Sequence, residues 1–213
     1  DLLAEALRVV EEWPPKESFD MLDLRSRKVS SDIVQFEKWQ VDTLIAVLMR
    51  LPGDAKELLD LGLAAANRIM NEELRVRALT TVIARLPAHG QDLLKKGFVA
   101  ACGVRDEALR ATALIAVAAR LPEDAHELLV EVLTAAREIS DGRRRGEALN
   151  ALAEHLPVGA HDVQTMMLEA AREIGDSLSL IETLAALAKY LEAAEAKSVL
   201  EGALVMAQGI SDD

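Results

Sequence analysis

Apolar residues along the chain fall in short bursts at helical spacing, and each burst ends the same way. Leu149, Leu152, Ala153 and Leu156 occupy positions i, i+3, i+4 and i+7, one face of an α-helix. Pro157 then stops the run, because proline disfavours helical geometry in the residue before it. A second apolar face follows on Val163, Met167, Leu168 and Ala171, which predicts a helix from about Ala160 to Ile174. Asp176 precedes the next burst, as Asp106 and Asp141 precede earlier ones. Each is placed to accept hydrogen bonds from the free N–H groups of the helix it introduces. The unit is therefore helix, short break, helix.

This unit repeats. Arg50-Leu51-Pro52 returns as Arg85-Leu86-Pro87, Arg120-Leu121-Pro122 and His155-Leu156-Pro157, at steps of 35 residues. The following step falls on Tyr190-Leu191-Glu192, which keeps the leucine and loses the proline. Other columns keep the same beat: Leu44, Leu79, Leu114, Leu149 and Leu184; Val47, Val82, Val117, Leu152 and Leu187; and Ala65, Ala100, Ala135 and Ala170, each followed by a second alanine. Side chains this small let neighbouring helices approach closely, so a bulky residue at Ala135 is expected to overpack the seam by about 1–3 kcal/mol. One hairpin of such short helices cannot bury its stripe alone, whereas stacked hairpins bury it continuously. The repeats span 41–75, 76–110, 111–145, 146–180 and 181–213, behind a divergent N-terminal repeat over 1–40.

Two alignments fit that first repeat. In one, Glu5-Ala6-Leu7 matches Glu147-Ala148-Leu149, and Trp13-Pro14 stands where Leu-Pro stands later. Residues 16–29 then form its second helix, and Val29-Ser30-Ser31-Asp32 ends it as Ile139-Ser140-Asp141 ends a later one. In the other, residues 1–13 match the second helix at 127–139 and a long insertion follows. The first disturbs the array less and gives six helix pairs, with Arg25, Ser26 and Arg27 as the polar surface of a terminal repeat. At the other end Glu192 replaces proline, one residue is inserted before Val199, and no polar capping helix follows Ile210-Ser211-Asp212. Either the protein continues further or this end packs against another copy, a homodimer through the uncapped repeat. A first residue of Asp1 rather than Met agrees with a segment of a larger protein.

Composition narrows the partners. Hydrophobic residues make up 51% of the chain and aromatics only 3%, which suits closely packed helices better than sheets. The net charge of −12 repels phosphate backbones and makes nucleic acid an unexpected partner. The lone cysteine, Cys102, rules out an internal disulfide. No apolar run is long enough for a membrane span and no signal peptide opens the sequence, so a cytoplasmic protein is expected.

In unit length and paired-helix layout, the chain resembles the tetratricopeptide class of α-solenoids. The Trp, Leu-Gly and Tyr of that class's first helix do not recur here. The Leu-Pro ending of the first helix, with Ala-Ala-Arg-Glu-Ile at 135–139 and 170–174, is more similar to Ala/Leu-rich repeats of bacterial proteins. Some of those accompany signalling NTPase or protease modules, where the resemblance implies sensing or docking of a partner. The pentatricopeptide class shares the period and reads single-stranded RNA. The fold expected is thus all-α, a right-handed α-solenoid superhelix of about six antiparallel helix pairs forming a single domain over 1–213.

Candidate chemistry is sparse. There is no Gly-rich phosphate loop, no Gly-x-Ser-x-Gly and no His-Glu-x-x-His, so an enzyme is not expected, nor any cofactor or metal. His126 and His161 share a column and, with Glu127 or Asp162, make an incomplete ligand set; solvent-facing helix starts account for them better. Cys102, beside Ala100 and Ala101, reads as a buried small residue. Arg50, Arg85 and Arg120 form a ladder in last helical turns, where a cation complements the helix dipole; aromatic rungs for base stacking are missing between them. Arg143-Arg144-Arg145 reads as a solvated connector. If first helices line the concave face, their positions opposite the core meet the ligand: Asp42, Ile45 and Met49; Arg77 and Thr80; Thr112 and Ile115; Glu147 and Asn150. Ile45 and Ile115 lie off the main stripe, either as anchors for a peptide or as packing against a neighbouring helix. The function expected is a protein–protein interaction scaffold or sensor module binding a peptide or protein; the alternative is a single-stranded RNA-binding repeat protein.

Overall fold

The computed structural model describes residues 27–52, 55–87, 90–122, 125–156 and 161–211. Among these residues lie ten α-helices, one turn of 3-10 helix and no strand. The helices are α1 (Arg27–Leu48), α2 (Lys56–Asn67), α3 (Glu72–Ala84), α4 (Gln91–Cys102), α5 (Glu107–Ala118), α6 (His126–Arg137), α7 (Gly142–Ala153), α8 (His161–Arg172), α9 (Ser177–Leu187) and α10 (Ala193–Ser211), with the 3-10 turn at Ala188–Tyr190. Helices α3, α5, α7 and α9 start 35 residues apart, and so do α2, α4, α6 and α8. The sequence period is thus a period of structure. The chain divides into two compact units, Asp1–Leu109 and Arg110–Asp213.

In the first unit α1 packs on α2 and α3, α2 on α3 and α4, and α3 on α4. Each helix therefore meets the next in sequence and the one after that, as stacked hairpins must. Leu44, Leu48, Leu59, Leu79, Val82 and Ile83 are buried between them. In the second unit α6 packs on α7 and α8, α7 on α8 and α9, α8 on α9, and α9 on α10. Leu133, Leu149, Leu152, Ala153, Val163 and Met167 form its interior. Fully burying a leucine contributes about 1.5–3 kcal/mol, so these shared stripes dominate the stability of each unit.

Polar groups fix the hairpins to one another. Asp106, Asp141 and Asp176 accept from the backbone N–H of Leu109, Arg144 and Ser179 at 2.8–2.9 Å, capping α5, α7 and α9 as the sequence predicts. Asn71 does the same for α3, from Leu74 at 3.0 Å. A second device crosses between hairpins. Glu37, buried on α1, accepts from the backbone N–H of Met70 (2.6 Å) and Asn71 (3.2 Å), in the turn before α3. Glu72 repeats this one period later, accepting from Arg105 (3.1 Å) and Asp106 (2.9 Å). Each glutamate thus clamps the turn of the following hairpin. Arg85 works at the other end, donating from Nη2 to the carbonyl of Leu51 at 2.5 Å. That bond ties one Leu-Pro corner to the helix end of the next hairpin, a more specific role than dipole compensation.

Several expectations need correction. The break predicted at Ser30-Ser31-Asp32 is absent, because α1 runs unbroken from Arg27 to Leu48. That segment contains neither glycine nor proline to stop it, and a serine pair alone does not end a helix. Trp13-Pro14, Arg25, Ser26, most of the 16–29 helix and Pro157 lie outside the described residues. In the first alanine column Ala65 and Ala170 are buried as expected but Ala100 and Ala135 are half-buried, whereas the second alanine of every pair, Ala66, Ala101, Ala136 and Ala171, is fully buried. Arg143-Arg144-Arg145 belongs to the first turns of α7, started by the Asp141 cap, and is no connector. Cys102 is exposed, since it ends α4 one step past the inward-facing Ala101.

Two outcomes are expected from this framework. Ala136→Leu should destabilise the protein by about 1–3 kcal/mol in urea unfolding, and Ala135→Leu by clearly less; equal effects would contradict the assignment of the seam. For Glu72, its hydrogen bonds from Asp106 and Arg105 hold the carboxyl below its ordinary value. A depressed folded-state pKa means the unfolded chain binds the proton more readily, so this stabilisation is present above the unfolded value and lost as pH falls through the folded one. Glu72→Gln should therefore lower Tm at neutral pH, and its deficit relative to the parent should shrink steadily as the buffer is acidified through the carboxylate range.

Candidate functional site

The candidate positions lie on the odd-numbered helices, with Met49 just past the end of α1. None is buried. In the first unit Asp42 and Arg77, one period apart, form an ion pair at 3.0 Å with both side chains about half exposed. Thr80 lies one turn beyond Arg77 and donates its hydroxyl to the Arg77 carbonyl at 3.1 Å. Ile45 is half-buried, and Met49, just past the end of α1, is 65% exposed. In the second unit Thr112 is exposed and Ile115 half-buried on α5. Glu147 on α7 is held by Arg143 and Arg144, both at 3.3 Å, as their i, i+4 and i, i+3 spacings favour.

Asn150 differs from the rest. Its Oδ1 is shielded from solvent and has no hydrogen-bond partner. With Glu147 it lines a polar cavity of about 270 Å³ between α7 and α9, closed by Arg143, Gly146, Ser179, Glu182 and Thr183. The structure thus brings Glu147 and Asn150 together in one cavity, and Asp42 and Arg77 together in one ion pair.

A second concavity was not foreseen. An open groove of about 620 Å³ lies between α2 and α4, with Leu61, Leu63, Ala64, Val99 and Ala100 as its apolar lining. Lys96 bridges it to Asp60, with bonds of 2.6 and 2.8 Å, and Lys56 approaches Asp92 at 3.8 Å. The signal lay in the column Ala64, Val99, Thr134 and Glu169, exposed in all four of these repeats and apolar in the first two.

Even-numbered helices carry their own cross-links at a spacing of one period plus one residue. Arg137 makes a two-bonded ion pair with Glu173, its Nε donating to Oε2 at 2.9 Å and its Nη2 to Oε1. That pair holds the Glu173 carboxyl below its ordinary value and raises the Arg137 guanidinium above its own. His126 lies 3.3 Å from Asp162, and His161 3.9 Å from Glu192, so the histidines pair with acids of the neighbouring hairpin and not with each other. Among the described residues no cluster of three or more His, Cys, Asp and Glu side chains is arranged to hold a metal ion. Among them, too, no helix is long and apolar enough to cross a membrane.

No family model, no curated protein and no solved structure matches this chain. Its surfaces must be interpreted from their own chemistry.

The thiol of Cys102 gives a direct check on the outward register of α4. In native protein it should react with Ellman's reagent without denaturant; reaction only on unfolding would contradict the exposure assigned to this helix end.

Proposed function

We propose that the chain is a protein–protein interaction scaffold or sensor module, a tetratricopeptide-like right-handed α-solenoid that binds a peptide or partner protein along its helices. One contrast carries this reading. The inward column Leu44, Leu79, Leu114, Leu149 and Leu184 is chemically constant and buried. One or two residues away, the outward columns vary along the array: Asp42, Arg77, Thr112, Glu147 and Glu182 in one, Ile45, Thr80, Ile115 and Asn150 in the other. A constant frame with changing surface chemistry suits recognition of an extended partner, where each repeat meets a different residue of the ligand. Catalysis asks for something else, a single converged set of acid, base and nucleophile. The apolar groove between α2 and α4 adds a place for a partner's hydrophobic side chains. Engagement of Arg85 with the Leu51 carbonyl weakens the phosphate-tracking alternative, since that guanidinium already serves the fold.

Photo-crosslinking tests the reading in the source cell. A benzoylphenylalanine at Thr80 or Thr112 should trap one specific protein, and the charge reversals Arg77→Glu and Glu147→Arg should reduce its capture. Exposed ion pairs contribute only about 0–1 kcal/mol, so both variants should stay folded. Undiminished capture of every specific partner by both variants would refute the assignment of this face.

A further inference from the structure

The hairpin of α9 and α10 presents a face that earlier repeats keep covered. Allowing for the residue inserted before Val199, Leu200 follows Leu59, Leu94 and Leu129, and Leu204 follows Leu63, Leu133 and Leu168. Those six leucines are 1–5% exposed, whereas Leu200 is 45% and Leu204 59% exposed. The cover elsewhere comes from the following hairpin: a Cβ on Gly97 of α4 would stand 4.0 Å from Leu63 Cδ2. On α9 the same change falls on Ile181, half-buried where Val76 and Ala111 are buried. The apolar side chains of a hairpin seam are thus laid open to solvent.

The polar links of that seam stand open as well. Lys56, His126 and His161 share a column, and each approaches an acid of the following hairpin: Asp92 at 3.8 Å, Asp162 at 3.3 Å and Glu192 at 3.9 Å. Lys197 comes next in this column and meets Glu201 of its own helix at 3.8 Å, both side chains largely exposed. On the other rim Asp42 reaches Arg77 of the next hairpin, and the exposed Glu182 continues that column on α9.

These charges have an order. Because α9 and α10 pack on each other through a short turn, they run antiparallel. Lys189, just past the end of α9, therefore lies at the same end of the face as Lys197, and Glu182 at the same end as Glu201. One end is basic and the other acidic, in balance, within a chain of net charge −12. Half a turn about an axis perpendicular to the face exchanges the two ends. A copy placed by that rotation sets its acids over the bases of the first and its leucines over leucines. A face of a single sign would repel its own copy, and this one attracts it.

We infer that the α9–α10 face is a two-fold interface between two copies of this chain. Ile181, Leu200 and Leu204 form its apolar centre, and the basic end of each copy, Lys189 and Lys197, meets the acidic end of the other. The contact continues, with a second chain, the seam that stacks hairpins within the first.

Sedimentation equilibrium of the full chain tests this. The parent should reach twice the chain mass and stop there, since a two-fold contact closes on itself. Leu204→Glu replaces an exposed side chain, so it should keep the helical circular dichroism while weakening association at least about tenfold. Charge variants check the orientation. Lys189→Glu with Lys197→Glu makes the face wholly acidic, and Glu182→Lys with Glu201→Lys makes it wholly basic. Each double variant alone should stay monomeric, and an equimolar mixture should form a dimer containing one chain of each, resolved by native mass spectrometry. Growth beyond a dimer, undiminished association of Leu204→Glu, dimers of either double variant alone, or a mixture that fails to pair would overturn the inference. A monomeric parent would overturn it too, and would leave the face to a different protein.

Discussion

Within each unit, the described hairpins bury their apolar stripes against one another. The leucine and valine columns at 35-residue spacing become buried because like helices lie side by side, α1 on α3 and α7 on α9, with the intervening helix packed behind. Everything else in the frame serves that adjacency. Buried alanines at 66, 101, 136 and 171 keep the seams narrow. Glu37 and Glu72 seize the backbone of the next turn, and Arg85 seizes a carbonyl of the previous corner. These bonds join hairpins and not the helices within one, so they fix the step between units while the apolar stripes supply the energy. Backbone groups left over at helix ends are the natural partners for such links, since no intrahelical bond satisfies them.

The spacing of leucines, the Leu-Pro corners and the capping aspartates made the helical hairpins legible, because each rests on a local rule: apolar periodicity, the stereochemistry before proline, and the free N–H groups of a helix start. Other features depend on geometry across units. Which alanine of a pair faces the seam turns on about 100° of helix rotation, and a two-residue motif does not encode that. The same rotation put Cys102 outside when Ala101 went in. Glu37 and Glu72 stand one period apart in the sequence, but the reach of each to the next hairpin depends on how helices stack, which no local rule encodes. At Ser30-Ser31-Asp32 the likeness to a later break has no helix-stopping residue behind it, and the helix continues.

The candidate site was legible only in part, for the same reason. Sequence columns named Glu147 and Asn150, but not that Gly146 opens room for Thr183, nor that Glu182 faces its own kind where another repeat has an arginine. An interior that is constant from repeat to repeat constrains every hairpin alike, whereas surface positions are free to vary.

The central claim is that stability here is a sum over neighbouring hairpins, and hydrogen exchange on Leu184→Ala tests it most directly. Amides of α7, α8, α9 and α10 should lose protection together, while those of α1, α2 and α3 keep their parental rates. Protection lost to the same degree along the whole chain would mean one cooperative core, and would contradict the account.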